Sequence, residues 1–246
     1  MMQKIFHYAS PQNFYPLAGK LWPLFAMLGV VLSAWGLWLG MFVAPADFQQ
    51  GEGYRIIFVH VPVSWMSMVI YLAMAFWSVL GLTFNTRLSG MMTRALAPTG
   101  ALFAFLSLWT GALWGKPMWG AWWVWDARLT SELILFFLYL GYIALTSAID
   151  DTRRSDRAGA LIAIVGAINV PIIYFSVKWW NTLHQGASVS VTQGSSMAAI
   201  MLWSMLLMAL AFWFYTVALV LYRVRTLILQ RESHATWVHE LEEVKP

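Results

Sequence analysis

Two of the five histidines occupy positions where their chemistry could matter. His60 opens an apolar segment in "FVHVPVSW", and His184 lies in "KWWNTLHQGASVS", so each has tryptophan close by in the chain. Neutral imidazole is a good iron ligand. Either residue alone could equally be an interfacial or loop histidine bonded to a carbonyl. His7, His234 and His239 lie towards the termini and are expected to be solvated.

A tryptophan-rich segment accompanies these two histidines. Residues 116–132 read "KPMWGAWWVWDARLTSE". The clustered tryptophans are Trp114, Trp119, Trp122, Trp123 and Trp125. They could anchor the chain at a lipid interface, or they could form the flat apolar surface that a porphyrin requires. Residues 118–126 could form a short interfacial helix, because several of these rings have helical spacing. Composition alone leaves anchor and platform equally open.

Charged residues around this segment also have two explanations each. Asp126 is suited to the N-cap of the next helix, where it would accept from unpaired backbone amides. Arg128 could be an interface anchor or could meet an anionic ligand group such as a propionate, as could Arg55 and Lys178. Glu132 needs a partner or water, because a lone buried carboxylate is costly.

The composition indicates a membrane protein. The 246 residues have a mean hydropathy of +0.65, 60% are hydrophobic and 11% are charged, whereas soluble domains have about a quarter charged residues. The absence of cysteine excludes disulfides, thiolate catalysis, zinc–cysteine sites and covalent haem attachment through this chain's own thiols. No cleavable signal peptide and no phosphate-binding glycine loop is recognised, and the basic clusters are too short to suggest nucleic acid.

Hydropathy predicts an all-α polytopic protein, a single six-helix membrane domain covering residues 1–246. A span needs about 20 apolar residues, and its backbone must be helical in lipid. The predicted spans lie near residues 21–43, 61–84, 95–113, 129–149, 160–177 and 197–222. Asn169 and Pro171 interrupt the fifth and predict a kink or break, which either lines a cavity or packs against a neighbouring helix. The spans lack central Asp, Lys or Arg, which argues against a pump built on a charge relay.

The distribution of basic residues predicts that both termini are cytoplasmic. One side holds Lys4, Lys20, Arg87, Arg94, Arg153, Arg154, Arg157, Arg223, Arg225, Arg231 and Lys245. The other side holds only Arg55, Lys116, Arg128 and Lys178. Loops 44–60, 114–128 and 178–196 are therefore expected to face outward. This places the tryptophan segment and both His60 and His184 on one side of the membrane.

The segment from Trp119 to Asp126, "WGAWWVWD", matches the W-G-x-x-W-x-W-D signature of haem-handling membrane proteins. Over essentially its whole length the chain resembles the cytochrome c maturation protein C (haem exporter protein C) family. The size, the six spans, the outer tryptophan loop and the histidine in each flanking outer loop all agree, and no departure from the family pattern is found.

The resemblance implies that His60 and His184 are axial ligands of a non-covalent haem b. It also implies a haem-contacting surface formed by Trp114, Trp119, Trp122, Trp123, Trp125 and Asp126, and Arg128 is added to it as a residue that could meet a propionate. The implied function is haem presentation at periplasmic loops of the bacterial inner membrane, to the haem chaperone CcmE, for export of haem to c-type cytochromes. The implied partners also include the small membrane protein CcmD and the ABC transporter components CcmA and CcmB, with membrane lipids around them. The implied role is haem transfer, with no catalytic residues and no ATPase site in this chain.

Two other functions remain open at this point. A b-type electron-transfer subunit also uses histidine pairs and aromatic residues, although its histidines usually lie within helices at membrane depth. A haem-free transporter would use the tryptophan segment only as an interfacial anchor. A Soret band and a redox titration with quinol would separate the three functions.

Overall fold

The computed structural model describes residues 7–180, 182, 184, 195 and 197–243, with the side chains of 242 and 243 left aside. Among these residues the regular secondary structure is α-helical, with one π-helical turn (Leu39–Val43), one 3₁₀ turn (Glu52–Ile56) and an isolated β-bridge between Asp47 and Gly51. The helices are α1 (Pro11–Trp38), α2 (Ile57–Phe84), α3 (Arg87–Trp119), α4 (Ala127–Ala148), α5 (Thr152–Gly166), α6 (Asn169–Trp179), α7 (Ala199–Arg231) and α8 (Thr236–Glu243). Most of the predicted outer loop 178–196, together with Lys4 and Lys245, lies outside the described residues.

Within the part of the chain that the structure describes, six helical segments are long and apolar enough to cross a membrane, so the chain is an all-α polytopic membrane protein, as predicted. They are Pro11–Val43, Glu52–Phe84, Arg87–Trp119, Ala127–Ala148, Thr152–Trp179 and Ala199–Arg231. Helix α3 has 33 residues, about 50 Å at 1.5 Å per residue, and exceeds the ~30 Å hydrocarbon layer. It runs past the predicted end at Leu113, so Trp114 and Trp119 belong to a helix and not to a loop.

The fifth span is broken at the position that the sequence indicates. Helix α5 ends at Gly166, a turn follows, and α6 begins at Asn169. The buried Asn169 side chain donates from Nδ2 to the Ser131 carbonyl of α4 at 2.8 Å. A freed backbone group or side-chain amide in a membrane must be satisfied by a neighbouring helix. The Asn169 hydrogen bond therefore joins the break in the fifth span to α4.

The packing brings one end of three helices together. Helix α1 lies along α7, and α2 lies along α3, while α2 is the most buried of the six spans. Buried hydroxyls join the helices through carbonyls, as in Tyr139 Oη to Ser67 O (2.6 Å) and Ser204 Oγ to Gly36 O (2.7 Å). One end of the bundle brings together three helix ends: the start of α2, the end of α3 and the start of α4.

Candidate functional site: a histidine pair beneath a tryptophan rim

His60 lies in the first turns of α2, facing α3, and is 7% exposed. Its Nδ1 is 2.9 Å from Thr110 Oγ1. The Thr110 hydroxyl already donates its only hydrogen to the Leu106 carbonyl at 2.6 Å, so it accepts from His60. We therefore assign the imidazole proton to Nδ1, which leaves Nε2 with a free lone pair. This is how ligating histidines are usually held, with one ring nitrogen donating to a protein oxygen and the other facing the metal.

His184 lies opposite His60 although the two are far apart in the chain. Their ring centroids are 6.3 Å apart and the ring planes differ by 36°. Two imidazoles that coordinate one metal from opposite sides, each nitrogen at about 2 Å, have ring centres roughly 6 Å apart. The separation fits a shared metal. Among the described residues no group of three or more His, Asp or Glu could hold a metal ion.

A small cavity lies between the histidines and the tryptophan segment. Its volume is about 50 Å³. Its lining includes His60, Ser64, Ser107, Trp114, Trp119, Trp122, Trp123, Asp126, Arg128, Glu132 and His184. Small-molecule sites usually enclose about 300–1,000 Å³. A flat ligand of porphyrin size therefore requires residues around the cavity to move apart.

The tryptophans do not contribute equally to this site. Trp114 is buried, meets His60 edge-on at 5.6 Å, and donates from Nε1 to Gln50 Oε1 at 2.9 Å. Trp119 lies 6.5 Å from His184 and 6.3 Å from Trp114, so it bridges the two. Trp122 lines the same cavity but is 56% exposed. Together they form a rim that is packed on the α3 side and open on the other.

A family model for heme exporter protein C matches residues 4–239. The chain belongs to the heme exporter protein C family. It is 48% identical to heme exporter protein C of Haemophilus influenzae over 234 residues, which is 95% of each chain. It is 44% identical to the Escherichia coli K12 protein of that name over 242 residues, 98% of this chain and 97% of the relative. It is also similar to a putative cytochrome c biosynthesis ccmC-like mitochondrial protein of Marchantia polymorpha, at 48% identity over 206 residues, 82% of this chain and 87% of the relative.

In this member of the heme exporter protein C family, Asp126 has two structural roles at once. Its Oδ1 caps α4 by accepting from the Leu129 amide at 2.8 Å, which confirms the N-cap prediction. Its Oδ2 accepts from the Thr182 hydroxyl, and that same hydroxyl accepts from the His184 amide at 2.9 Å. Asp126 thus links the end of the tryptophan segment to the segment that carries His184.

One expectation for the tryptophan segment was wrong. Residues 120–126 are not helical: Gly120 ends α3 with φ of 79°, a left-handed conformation that glycine adopts without strain. The predicted interfacial helix over 118–126 is therefore absent. Trp125 is 76% exposed and does not line the histidine cavity. It packs edge-on against Trp123 at 5.3 Å and lines a separate apolar surface groove with Phe105 and Trp109.

The three cations that the sequence offers as partners for an anionic ligand group lie in different places. Arg128 lines the cavity and donates from Nη1 to the Ile173 carbonyl of α6 at 2.7 Å. Arg55 is outside the cavity lining and instead binds Glu52 and the carbonyls of Gly40 and Ala44, where it secures the turn before α2. Lys178 also lies outside the lining, 5.9 Å above the Phe175 ring. Arg128 is thus the only one of these three cations that lines the site.

The sequence indicates that Glu132 needs a partner, but it does not identify the serine and threonine hydroxyls near it. Ser64 and Ser107 are hydrogen-bonded at 2.6 Å, and Ser67 donates to Glu132 Oε1 at 2.9 Å. Glu132 is buried, and among the described residues its Oε2 has no hydrogen-bond partner. The only signal for Thr110 was its position one turn before Trp114 on the same face of α3.

Proposed function

We propose that this protein binds haem b non-covalently at one end of its helix bundle, with His60 and His184 as the axial ligands. The supporting observation is the 6.3 Å separation of the two rings, combined with the Thr110 hydrogen bond that leaves His60 Nε2 free. Membership in the heme exporter protein C family supports a role in haem export for cytochrome c biogenesis. Haem is then the cargo of this site, and the tryptophan rim supplies its apolar contacts.

We place the site on the periplasmic face of the bacterial inner membrane, with both termini in the cytoplasm. The bias of lysine and arginine towards the opposite side supports this orientation. An ABC transporter complex is the proposed setting, with CcmA, CcmB and CcmD as partners. The chain contains no phosphate-binding glycine loop, so ATP hydrolysis is assigned to a partner.

The geometry supports holding and handing over the cargo more than reacting with it. Two histidine ligands saturate the iron and leave no coordination position for oxygen chemistry. The rim is open at Trp122, so one edge of a bound porphyrin would be accessible to a partner. That partner is proposed to be the periplasmic haem chaperone CcmE. The cavity of about 50 Å³ is smaller than a porphyrin, so entry and release require the residues around it to move apart.

The test is the haem spectrum of the purified protein. Wild type should show a Soret band and the spectrum of a six-coordinate iron, and His60→Ala and His184→Ala should each lose it. His239→Ala is the matched control, because His239 is exposed near the C-terminus. Retention of the wild-type spectrum in both site variants would overturn the ligand assignment. Rapid reduction of the bound haem by quinol would instead favour the electron-transfer function.

Handover is tested separately by incubating the haem-loaded protein with CcmE. After denaturing electrophoresis, haem that remains with the chaperone reports covalent transfer. We expect transfer from wild type and none from either histidine variant. Wild-type protein that holds haem but never loads the chaperone would separate haem binding from presentation and would remove the latter from the proposal.

A further inference from the structure

A second, larger cavity lies at the opposite end of the bundle from the histidine pair. Its volume is about 840 Å³, and it is formed by the end of α2, the starts of α3 and α5, and the end of α7. Ser78, in its wall, is about 27 Å from His60 along α2 at 1.5 Å per residue. The two cavities share no lining residue. Nothing in the proposed handling of haem at the histidine end uses this second cavity.

The charges that line this cavity leave a net positive excess. Arg231 forms a two-bond ion pair with Asp156, at 2.8 and 2.9 Å, and Arg87 pairs with Glu232 at 3.0 Å. Among the described residues, Arg153 and Arg157 have no ion-pair partner, yet both line the cavity. Two guanidinium groups about one helix turn apart are therefore available to an anion, and phosphate is a group that arginine binds well.

The rest of the wall combines polar and apolar surface. Ser78 is 3% exposed, lines the cavity, and its hydroxyl has no hydrogen-bond partner among the described residues. A buried hydroxyl without a partner is costly, so it indicates that a ligand or water completes its hydrogen bonds. Trp77, Leu82 and Met91 provide apolar wall, and Leu82 is 44% exposed on the bundle surface. The cavity thus extends from buried polar groups to a surface that lipid would cover.

We propose that this cavity binds the headgroup of an acidic phospholipid with two phosphates, such as cardiolipin. Arg153 and Arg157 contact the phosphates, Ser78 donates to a headgroup oxygen, and the acyl chains leave past Leu82. Basic pockets between membrane helices on the cytoplasmic side are suited to such headgroups. The bilayer supplies this ligand at the very surface where the cavity opens. The site is independent of the histidine pair, so either one can fail without the other.

The test measures cardiolipin binding to the purified full-length protein in detergent by native mass spectrometry. Wild type should retain one cardiolipin and should prefer it over phosphatidylcholine. The double variant Arg153→Gln/Arg157→Gln should bind it about 30-fold more weakly, the loss expected for two arginines near a lipid surface. Arg153→Lys/Arg157→Lys should retain most of the binding, because it preserves the charge. Ser78→Ala should weaken binding without altering any charge.

Arg154→Gln is the matched control, because Arg154 is exposed on the same helix but does not line the cavity. Its cardiolipin binding should equal that of wild type, and every variant should elute as a single species with the haem spectrum unchanged. Equal losses in Arg154→Gln and in the double variant would overturn the proposal. So would equal retention of phosphatidylcholine, or uptake of protoporphyrin IX at this cavity in place of cardiolipin.

Discussion

The Thr110 hydroxyl oxygen lies 2.9 Å from His60 Nδ1 and accepts its hydrogen bond, across the contact between α2 and α3. Thr110→Val removes this acceptor while keeping the side-chain shape, so the imidazole loses both its orientation and its fixed tautomer. We expect haem affinity to fall about 10- to 100-fold, the usual cost of removing such an outer partner. Thr110→Ser should restore most of it. The measurement is a haem titration followed at the Soret band.

Thr216→Val is the control for this variant, because among the described residues the Thr216 hydroxyl bonds to its own helix alone, at Phe212 O. It should leave the titration unchanged. An unaltered affinity in Thr110→Val would show that the hydroxyl does not position His60.

Asp126→Ala should impair the site and the fold together. It removes the cap of α4, which costs about 1 kcal/mol, and it releases the Thr182 hydroxyl that holds the His184 amide. We expect the midpoint of thermal unfolding to fall and the haem spectrum of six-coordinate iron to be lost. Thr182→Val should lose the spectrum while the thermal midpoint stays close to wild type, since the cap remains.

Asp151→Ala provides the comparison, because Asp151 caps α5 through the Arg154 amide at 2.7 Å, at the other end of the bundle. Its thermal midpoint should fall by a similar amount with no change in the haem spectrum. If Asp151→Ala altered the spectrum as strongly as Asp126→Ala, the effect would be one of general stability.

The absence of a side chain at Gly111 leaves space for the His60 ring. A Cβ at this position would lie 3.1 Å from His60 Cε1, tighter than an ordinary carbon contact, so Gly111→Ala should push the ring and weaken haem binding about 10-fold, equivalent to ~1.4 kcal/mol. Gly111→Val should abolish binding. Gly141→Ala is the control, since a Cβ there meets no atom of the described part of the chain within 4 Å. Equal haem titrations for Gly111→Ala and Gly141→Ala would contradict this prediction.

The tryptophans should differ in their effects on haem retention. Trp119 lies between His184 and Trp114, so Trp119→Ala removes a ring from the rim and should weaken binding about 10-fold, from ~1.5 kcal/mol of aromatic contact. Trp125 lines a different groove, so Trp125→Ala should retain the haem spectrum. The check is haem content per protein after gel filtration. A larger loss of haem in Trp125→Ala than in Trp119→Ala would contradict this prediction and would indicate that Trp125 contacts haem.

Much of this fold could be predicted from the sequence because a membrane imposes simple rules. Hydropathy predicts the six helices, and Asn169 with Pro171 marks the break between α5 and α6. The shared location of His60 and His184 follows from alternating spans, without any knowledge of side-chain packing. These features depend on the local chain and on the thickness of the bilayer.

The contacts that organise the site could not be predicted in the same way. Thr110 and His60 are 50 residues apart, and Thr182 and Asp126 are 56 apart, so these bonds depend on how the helices pack. The tryptophan spacing suggested a helix, but Gly120 takes a left-handed conformation that ends α3 and directs Trp125 away. Side-chain spacing indicates a face only while the helix continues.

The two histidines differ in how the fold holds them. His60 is fixed within α2 by its neighbours and by Thr110, whereas His184 lies beyond the end of α6 and its amide is tied to Asp126 through Thr182. We therefore expect added imidazole to restore the haem spectrum of His184→Gly more readily than that of His60→Gly. If the two histidines hold haem as proposed, ligand exchange would begin at His184. The iron would then lose its bond to His184 before its bond to His60.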